Sequence, residues 1–448
     1  MAEDLGISPS YLNLLERNQR PVTAQVLLRL AEAYDFDFKS LSADQDSANA
    51  LGLAEVLSDQ MFRDLGIARH EITEVAESAP SVAEAILRLY RAYLDQRRLT
   101  DLGAIGRPEE GSQASVSPSD WVRDHIQGHK NHFPELEEAA DEMVRGLSAA
   151  PQDFAVAAKD RLLSQFGVKV QVVTIEFLPE SIRRYDHHRK RLTLSEVLTP
   201  SGRAFNLAYQ LAILEHGGLL NGMADRAGAP DTPTRSLLKV SLANYLAAAC
   251  LMPYQAFQEA AERSAYDLEL VAARFGVSFE QACHRLTTLT RPGARGVPFF
   301  MLRVDSAGNI SKRFAGGSFP FSRFGGACPR WNIHTSFRTP GRIITQVVET
   351  PDGQRYFTLA RTVSRVASPY AGDDSELAIG LGCELKFAER LVYSKGLDLK
   401  DPAVTPIGPA CRICERPTCP QRAAEPINRT LTVDDFTKSI SPYPFAAG

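Results

Sequence analysis

Apolar residues recur at helical spacing through much of the first hundred positions. Between residues 51 and 99, the apolar positions include Leu53, Val56, Leu57, Ile86, Leu89 and Tyr90. Residues three or four apart share one face of a helix, so the pattern predicts a run of amphipathic helices. Such helices pack on each other or on a second subunit, and we therefore expect a helical region at 46–149 that forms a homodimer. Gly, Ser, Glu and Pro dominate 100–120, which predicts a loop there.

The first 45 residues carry a shorter helical pattern with a clear start. Ser8 can cap a helix whose first position is Pro9, where a missing N–H costs nothing. Leu12 and Leu15 have the spacing of buried positions, while polar side chains occupy other faces, namely Ser10, Tyr11, Asn13 and Arg17. The segment resembles the helix-turn-helix of lambda-repressor-like regulators, in which the second helix of the motif enters the major groove. We therefore predict that these polar side chains contact DNA.

Charge and length limit this prediction. Residues 1–50 contain four basic and eight acidic side chains, a net charge of 4 − 8 = −4, so non-specific attraction to phosphate should be weak. The chain also begins inside what would be the first helix of the motif. We expect weakened DNA binding, and the alternative function is a metal-bearing interaction protein that does not bind DNA.

Residues 150–291 alternate between helical and strand patterns, which predicts an α+β domain. A strand is expected at 168–177, another at 192–194, and a helix at 200–220. In order and context this helix resembles the central helix of ImmA/IrrE-like metallopeptidases, whose H-E-x-x-H pattern holds zinc beside a catalytic glutamate. Here the three chemical positions are Tyr209, Gln210 and Ile213. These side chains cannot bind zinc or activate water, so we expect no enzyme activity.

The interval 291–345 is basic and aromatic. It contains nine Lys or Arg residues against one acid, a net charge of 9 − 1 = +8, and eight interleaved aromatics. Guanidinium groups grip phosphate oxygens and aromatic rings stack on a heterocycle, so the composition favours a nucleotide-like anion with an apolar appendage. Single-stranded nucleic acid and a solvated basic sheet face are the alternatives. The candidate ligand-binding residues are Arg303, Lys312, Arg313, Phe314, Arg330, Trp331 and His334.

Three cysteines near the C-terminus form a C-x2-C-x4-C pattern at Cys411, Cys414 and Cys419. Three close thiolates can hold a soft metal together with a more distant fourth ligand. Zinc and an iron-sulfur cluster both accept such a set, so spacing does not choose between them. Alternatively, the three thiols are merely buried and bind no metal.

Composition is that of an ordinary globular protein, with 44% hydrophobic and 23% charged residues among 448. No basic and apolar leader opens the sequence, and no apolar run approaches the roughly 20 residues of a membrane-spanning helix. We therefore expect a cytoplasmic protein without a membrane partner. Seven cysteines in such a chain favour reduced thiols and metal over disulfides.

Taken together, these features resemble the short-chain fatty acyl-CoA transcriptional regulators. Besides the helix-turn-helix and the degenerate middle domain, the resemblance rests on Cys328-Pro-Arg-Trp331-Asn-Ile-His334, Ile379-Gly-Leu-Gly-Cys383 and the Cys411 to Cys419 motif. It implies an α+β multidomain chain with a helix-turn-helix at 1–45, a degenerate ImmA/IrrE-like domain at 150–291 and a mixed-sheet sensor domain at 292–448. It further implies a regulator of acetate- or propionate-type metabolism that binds a DNA operator and a short-chain acyl-CoA.

The resemblance also implies an iron-sulfur cluster, with 4Fe-4S expected and zinc as the alternative. Its ligands would include Cys411, Cys414 and Cys419. For the fourth we favour Cys383 over Cys328, because Cys383 is expected to follow a Gly-rich turn and precede a helix, where backbone amides can hydrogen-bond sulfur.

Overall fold

The computed structural model describes residues 50–65, 67–102, 117–147, 153–317, 319, 321, 327–364, 376–426 and 429–445. The predicted DNA-contacting side chains Ser10, Tyr11, Asn13 and Arg17 lie outside the described residues. Contacts divide the chain into two units, Met1–Leu89 and Tyr90–Gly448, and each is described by itself.

The described part of the first unit is helical, as predicted. Helical residues 50–57 are followed by a 3-10 helix at Gln60–Leu65, by α1 at Arg69–Ser78 and by α2, Pro80–Leu102, which continues into the second unit. The buried apolar side chains are Leu53, Val56, Ile72, Ala76, Ala83 and Leu87. Leu89, which we expected on the apolar stripe, is 73% exposed.

Nine further helices build the first half of the second unit in the described residues. They are α3 Pro118–Gly128, α4 Pro134–Leu147, α5 Phe154–Phe166, α6 Pro200–Glu215, α7 Gly217–Arg226, α8 Thr232–Leu251, α9 Tyr254–Arg263, α10 Leu268–Phe275 and α11 Phe279–Leu286. α8 lies at the centre, in contact with α3, α4, α6 and α7. Its buried face includes Leu238, Leu242 and Leu246, at the four-residue spacing of one helix face.

A small sheet accompanies these helices. It has the order β1-β3-β2, from β1 Lys169–Val173, β2 Arg183–Asp186 and β3 Arg191–Ser195. β1 is parallel and β2 antiparallel to β3. β3 was predicted, whereas the first predicted strand is shorter than expected. β2 was missed because its sequence, Arg-Arg-Tyr-Asp, lacks apolar alternation.

The helix that carries the degenerate motif begins as expected but ends early. Thr199 accepts a hydrogen bond from the Gly202 amide at 3.1 Å, and Pro200 occupies the first turn. The predicted helix to residue 220 divides at His216 into α6 and α7. Two consecutive glycines after His216 explain the break, because glycine is a poor residue for a helix interior.

A six-stranded sheet forms the C-terminal half, in the order β5-β4-β8-β7-β6-β9. Its strands are β4 Phe300–Asp305, β5 Ile310–Ala315, β6 Ile344–Glu349, β7 Arg355–Ser364, β8 Glu376–Glu384 and β9 Val404–Pro406. A hairpin turn joins β4 to β5, with Gly308 at a φ of 84° that favours glycine. Alternation along β4 sends Met301 into the core shared with the helices, and Phe300 and Leu302 into a second core on the opposite face.

A buried ion pair joins α4 to α11 in the helical half. The Arg285 guanidinium donates from both terminal nitrogens to Glu137, at 2.7 Å each, and both side chains are 1% exposed. The Tyr245 hydroxyl on α8 also donates to Glu137, at 2.5 Å. Burial alone would raise the pKa of Glu137, but the charge and hydrogen bonds of Arg285 outweigh it and hold that pKa below its usual range.

No single helix in the ranges listed above is long and apolar enough to cross a bilayer. The consecutive helices α8 and α9, which are bent relative to each other, reach that length and apolar composition only when they are taken together.

Candidate functional site: a degenerate metal position and a cysteine loop

An arginine from the small sheet contacts the helix that resembles the central helix of metallopeptidases. The Arg183 guanidinium, from β2, lies 4.4 Å from the centroid of the Tyr209 ring. Its Nη1 donates to Gln210 Oε1 at 2.8 Å. Tyr209 and Gln210 are therefore engaged by a cation from within the chain rather than arranged around an ion.

The surroundings of this arginine are mostly closed. Gln210 is 1% exposed, and its Nε2 has no hydrogen-bond partner among the described residues. Burial lowers the pKa of Arg183, while Tyr209 has a smaller opposing influence. The third position of the motif, Ile213, packs against the helical core, and His216 is the C-cap residue that follows α6.

Two of the predicted ligand-binding cations are already paired with one carboxylate. Glu280, at the start of α11, accepts from Arg303 at 2.8 Å and from Lys312 at 2.9 Å. Arg303 also donates to Ser311 and is only 7% exposed. Burial would raise the pKa of Glu280, but Lys312 and then Arg303 outweigh it and lower that pKa. Arg303 therefore serves the packing of the sheet on α11 more directly than the capture of an external anion.

The neighbouring aromatic side chain, Phe314, already has a ring partner within the chain. Its ring centroid lies 4.1 Å from that of His284 on α11. Burial, followed by the charge of Lys312, lowers the pKa of His284 to about 3, so this imidazole is neutral at ordinary pH. Arg313 lies between Lys312 and Phe314 on β5 and is half-buried.

The remaining predicted ligand residues belong to the opposite side of the sheet. Trp331, 3% exposed, packs with Phe319 at a centroid distance of 5.2 Å, and Phe319 stacks on Phe300 at 4.0 Å. Arg330 and His334 are half-buried neighbours in sequence. The seven predicted residues are thus divided between two faces, and they do not form one pocket.

A narrow, mostly apolar pocket opens beside this aromatic cluster. Its wall includes Phe319, Phe321, Trp331, Cys328 and Ile407. The indole Nε1–H of Trp331 is buried and has no acceptor among the described residues. An unsatisfied buried donor costs about 1–3 kcal/mol, so an acceptor within reach of this nitrogen would be favourable.

One cysteine of the pocket wall belongs to a group of neighbouring thiols. Burial raises the pKa of Cys328, and the proximity of Cys411 and Cys414 adds to the rise. Hydrogen bonds from the backbone at Gly408 and Arg330 act in the opposite sense, as expected for amides that favour a thiolate. Cys328 is thus a close neighbour of the tail motif, although more than 80 residues separate them in sequence.

The tail motif itself is compact. Burial raises the pKa of Cys414, an effect opposed by the Arg416 backbone and by the charges of Arg422 and Arg416, and reinforced by Cys419. A Cβ built on Gly408 would lie 2.6 Å from the Cys414 sulfur, so only glycine allows the chain to pass this close to the thiol.

The residue favoured from sequence as the fourth ligand has different surroundings. Cys383 is 0% exposed, lies within β8 and pairs with Phe357 of β7. Burial raises its pKa, and the charged groups that act on it are Glu384 and Arg390 rather than another thiol. The expected Gly-rich turn before it is wrong, because Gly380 and Gly382 lie inside the strand. A Cβ on Gly380 would meet Leu302 and Ile333 at 2.8 Å, so this glycine provides packing space.

The described residues contain no assembled group of three or more metal-binding side chains. The predicted metal-binding loop is therefore not shown. The donor chemistry nevertheless fits a thiophilic metal, since four thiols are linked as neighbours and amides point at sulfur. Sequence reasoning missed two residues of this region: Gly408, which admits the thiol, and Arg422, which hydrogen-bonds the loop carbonyls. It named Cys328 only as the second choice for the fourth ligand.

Comparison with known proteins follows the same division of the chain. Residues 288–443 match the family described as short-chain fatty acyl coenzyme A regulator, C-terminal. Residues 163–287 match the IrrE N-terminal-like domain, and residues 1–41 match a helix-turn-helix family.

Curated relatives resemble nearly the entire chain. The HTH-type transcriptional regulator RamB of Mycobacterium tuberculosis is 39% identical over 452 residues, covering 99% of this chain and 94% of the relative. The propionyl-CoA carboxylase regulator of Cereibacter sphaeroides is 40% identical over 446 residues, with the same coverage. A solved structure titled Mycobacterium tuberculosis transcriptional regulator matches with a TM-score of 0.70 and 39% identity, over 73% of this chain and 100% of that one. The chain therefore belongs to the family of short-chain fatty acyl coenzyme A regulators.

Proposed function

We propose that this protein is a DNA-binding transcriptional regulator that senses a short-chain acyl-CoA and carries a metal–thiolate centre, with an iron-sulfur cluster as the expected form. The observation that carries the proposal is the pocket in which Cys328 and Trp331 share one wall. In this proposal the apolar wall would receive the short acyl chain beside the group of thiols.

The acyl group would enter between Phe319, Phe321 and Trp331. The Trp331 Nε1–H, which lacks a partner among the described residues, would donate to the thioester carbonyl. The basic side chains of the 291–345 interval provide phosphate-binding chemistry for the coenzyme. Arg303 and Lys312 are committed to Glu280, so we assign the phosphates to other cations of the interval.

The metal would be held by Cys411, Cys414, Cys419 and Cys328. We replace Cys383 with Cys328 because Cys328 interacts with the tail thiols, whereas Cys383 is surrounded by the sheet core. When bound, the centre would cross-link the tail loop to the segment before α12, Asn332–Thr335.

Sensing would follow from this shared wall. An acyl chain that displaces Trp331 or the Cys328 segment would change the environment of the metal–thiolate centre. Conversely, a change at the centre would alter the affinity for the acyl-CoA, because coupling between two sites is reciprocal. A homodimer, for which the exposed Leu89 on α2 offers an apolar contact, would transmit the change to two reading helices. Only a ligand with different affinities for the two arrangements can drive the switch.

Calorimetric titration with acetyl-, propionyl- and butyryl-CoA tests the sensing role, with acyl-free CoA as the reference. Trp331→Phe keeps an aromatic ring but removes the donor, so we expect about tenfold weaker binding of the acyl-CoA and little change for free CoA. Equal loss for both ligands, or no loss, would contradict the placement of the acyl group. An electrophoretic mobility shift assay with the DNA upstream of the gene that encodes this protein, with and without ligand, tests the regulatory role.

A second function remains for the case in which DNA does not bind. The net charge of −4 over residues 1–50 favours a metal-bearing interaction protein over a strong DNA binder. A normal metal content and acyl-CoA affinity, together with no DNA shift at low salt, would select this function.

A further inference from the structure

Arg422 is a buried arginine that wraps the tail cysteine loop. It is 4% exposed, and Nη2 donates to the carbonyls of Cys414 at 2.7 Å and Arg416 at 2.9 Å. Nη1 donates to the carbonyl of Cys411 at 2.9 Å and, more weakly, to that of Ala424 at 3.4 Å. The guanidinium is therefore fixed beside two of the candidate metal ligands.

The charge of this guanidinium has no carboxylate partner in the described part of the chain. All of its hydrogen-bond acceptors there are neutral carbonyls, and its Nε has none. Its Cζ atom lies over the Phe445 ring, 5.0 Å from the ring centroid. Glu415, an acid of the same loop, pairs with Arg429 at 3.8 Å.

Such an arrangement is costly unless an anion compensates it. Taking an unpaired charge out of water is among the least favourable events in folding, and removing one partner of a buried pair costs about 3–5 kcal/mol. Four thiolates around a divalent metal or an iron-sulfur cluster carry a net negative charge, and they would supply the missing partner at this place.

We propose that Arg422 is the internal counter-cation of the cysteine centre, an inference that rests on the proposed metal–thiolate function. It positions the loop through the carbonyls of Cys411 and Cys414, and its charge favours the more negative form of the centre. In an iron-sulfur centre the reduced form is the more negative one, so Arg422 raises the reduction potential.

Arg422→Gln removes the charge and keeps some hydrogen-bonding capacity. Arg422→Lys keeps the charge but loses the two terminal nitrogens with which the guanidinium donates to the loop carbonyls. Arg412→Gln is the matched control, because Arg412 lies in the same loop and is exposed. We expect Arg422→Gln to shift the oxidised-to-reduced ratio at fixed potential at least about tenfold towards oxidised, which is ~59 mV for one electron. Arg422→Lys and Arg412→Gln should stay near the unsubstituted protein. If Arg422 only held the loop in place, the three variants would not show this order of effects on the oxidised-to-reduced ratio.

The measurements are dye-mediated redox titration of the anaerobically purified full chain and zinc affinity by competition with a chromophoric chelator. In the zinc experiment we expect Arg422→Gln to bind at least about tenfold more weakly than Arg412→Gln. Equal values for these two variants in both experiments would overturn the role of Arg422 and leave the metal centre standing. Should Arg422→Gln not fold, a shift in Arg422→Lys as large as tenfold would overturn it too. An unsubstituted protein that holds no metal would overturn the proposed centre and this inference together.

Discussion

Arg183 in the helical half and Arg422 in the C-terminal half are both guanidinium groups bonded from within the chain, but we propose opposite relations to a metal for them. Arg183 lies over Tyr209 and bonds to Gln210, at a position where the related peptidase pattern has metal-binding and catalytic side chains. Arg422 lies among carbonyls of a loop that still carries its cysteines. The two arginines therefore differ in their partners: Arg183 engages an aromatic ring and an amide side chain, whereas Arg422 engages only backbone carbonyls and the Phe445 ring.

The difference extends to how each half is held together. The helical half contains its own compensated charges, above all the Glu137–Arg285 pair, and its core needs no ion. The tail loop has little regular structure besides the short strand β9 and a 3-10 helix at Cys411–Ile413. Its central arginine, Arg422, has no carboxylate partner among the residues that the structure describes. We therefore expect the two halves to respond oppositely to metal removal and to substitutions in the ion pair.

Metal removal should give the largest effect. Binding free energies of structural zinc in small domains are about 10–16 kcal/mol, so a loop closed by such a centre should lose its protection when the metal is chelated. Hydrogen exchange across 404–426 is expected to accelerate, while α8 remains protected. Equal acceleration in α8, or none in the loop, would contradict the contrast between the halves.

Breaking the buried ion pair should act on the other half. Glu137→Gln leaves the Arg285 charge without its partner, and we expect a loss of about 3–5 kcal/mol in the free energy of unfolding. Metal content should be unchanged, measured on the same preparation by elemental analysis. Glu135→Gln is the control, because the Glu135–Arg226 pair on the same helix is exposed and its loss should be small.

Removal of Arg183 should have a moderate effect. Arg183→Met leaves Gln210 Oε1 without its donor, and we expect about 1–3 kcal/mol of destabilisation in denaturant unfolding. The variant should gain neither zinc affinity nor peptidase activity, because Tyr209 and Gln210 supply no suitable ligand or base. Arg184→Met, on the exposed neighbour, should be nearly neutral. Tight zinc binding by Arg183→Met would show that the position is still a metal site.

The pH dependence of stability should show the smallest effect. Burial, with Lys312, lowers the pKa of His284 to about 3, below its usual value near 6.5. The folded state therefore binds fewer protons than the unfolded state between these values. The contribution is complete above about pH 6.5 and is lost as pH falls towards 3, at up to about 1.4 kcal/mol per pH unit.

His284→Phe tests this dependence while it keeps an aromatic partner for Phe314. The variant should lose stability less steeply than the unsubstituted protein between about pH 6.5 and 5 in urea titrations. Part of the slope should remain, because burial also lowers the pKa of His125, His132 and His334. Identical slopes in the two proteins would argue against a neutral, buried His284.

Elements with strong local signals could be predicted from the sequence. The pattern Ser278-Phe-Glu-Gln281 forms a capping box at the start of α11, and the helix predicted from residue 200 begins at Pro200. Cys250 and Cys283 are buried, as small apolar residues on those helices would be. β2 was not predicted, since its pairing with β3 depends on tertiary context rather than on periodicity.

The candidate site could be predicted only in part. Residue types in 291–345 indicated cations and aromatics, but sequence does not reveal that Glu280 would pair with Arg303 and Lys312 or that the sheet would separate Phe314 from Trp331. The Gly-rich segment before Cys383 suggested a turn, whereas its glycines make space inside β8. Likewise, the approach of Cys328 to Cys411 and Cys414 is a long-range contact without a local signal.

The most direct test of the proposed centre is the content of iron, zinc and acid-labile sulfide in anaerobically purified Cys328→Ser and Cys383→Ser proteins, each compared with the unsubstituted chain. We predict that Cys328→Ser loses most of its bound metal and that Cys383→Ser retains it. Retention in Cys328→Ser with loss in Cys383→Ser would contradict the assignment of the fourth ligand, and the absence of metal from the unsubstituted protein would contradict the centre itself.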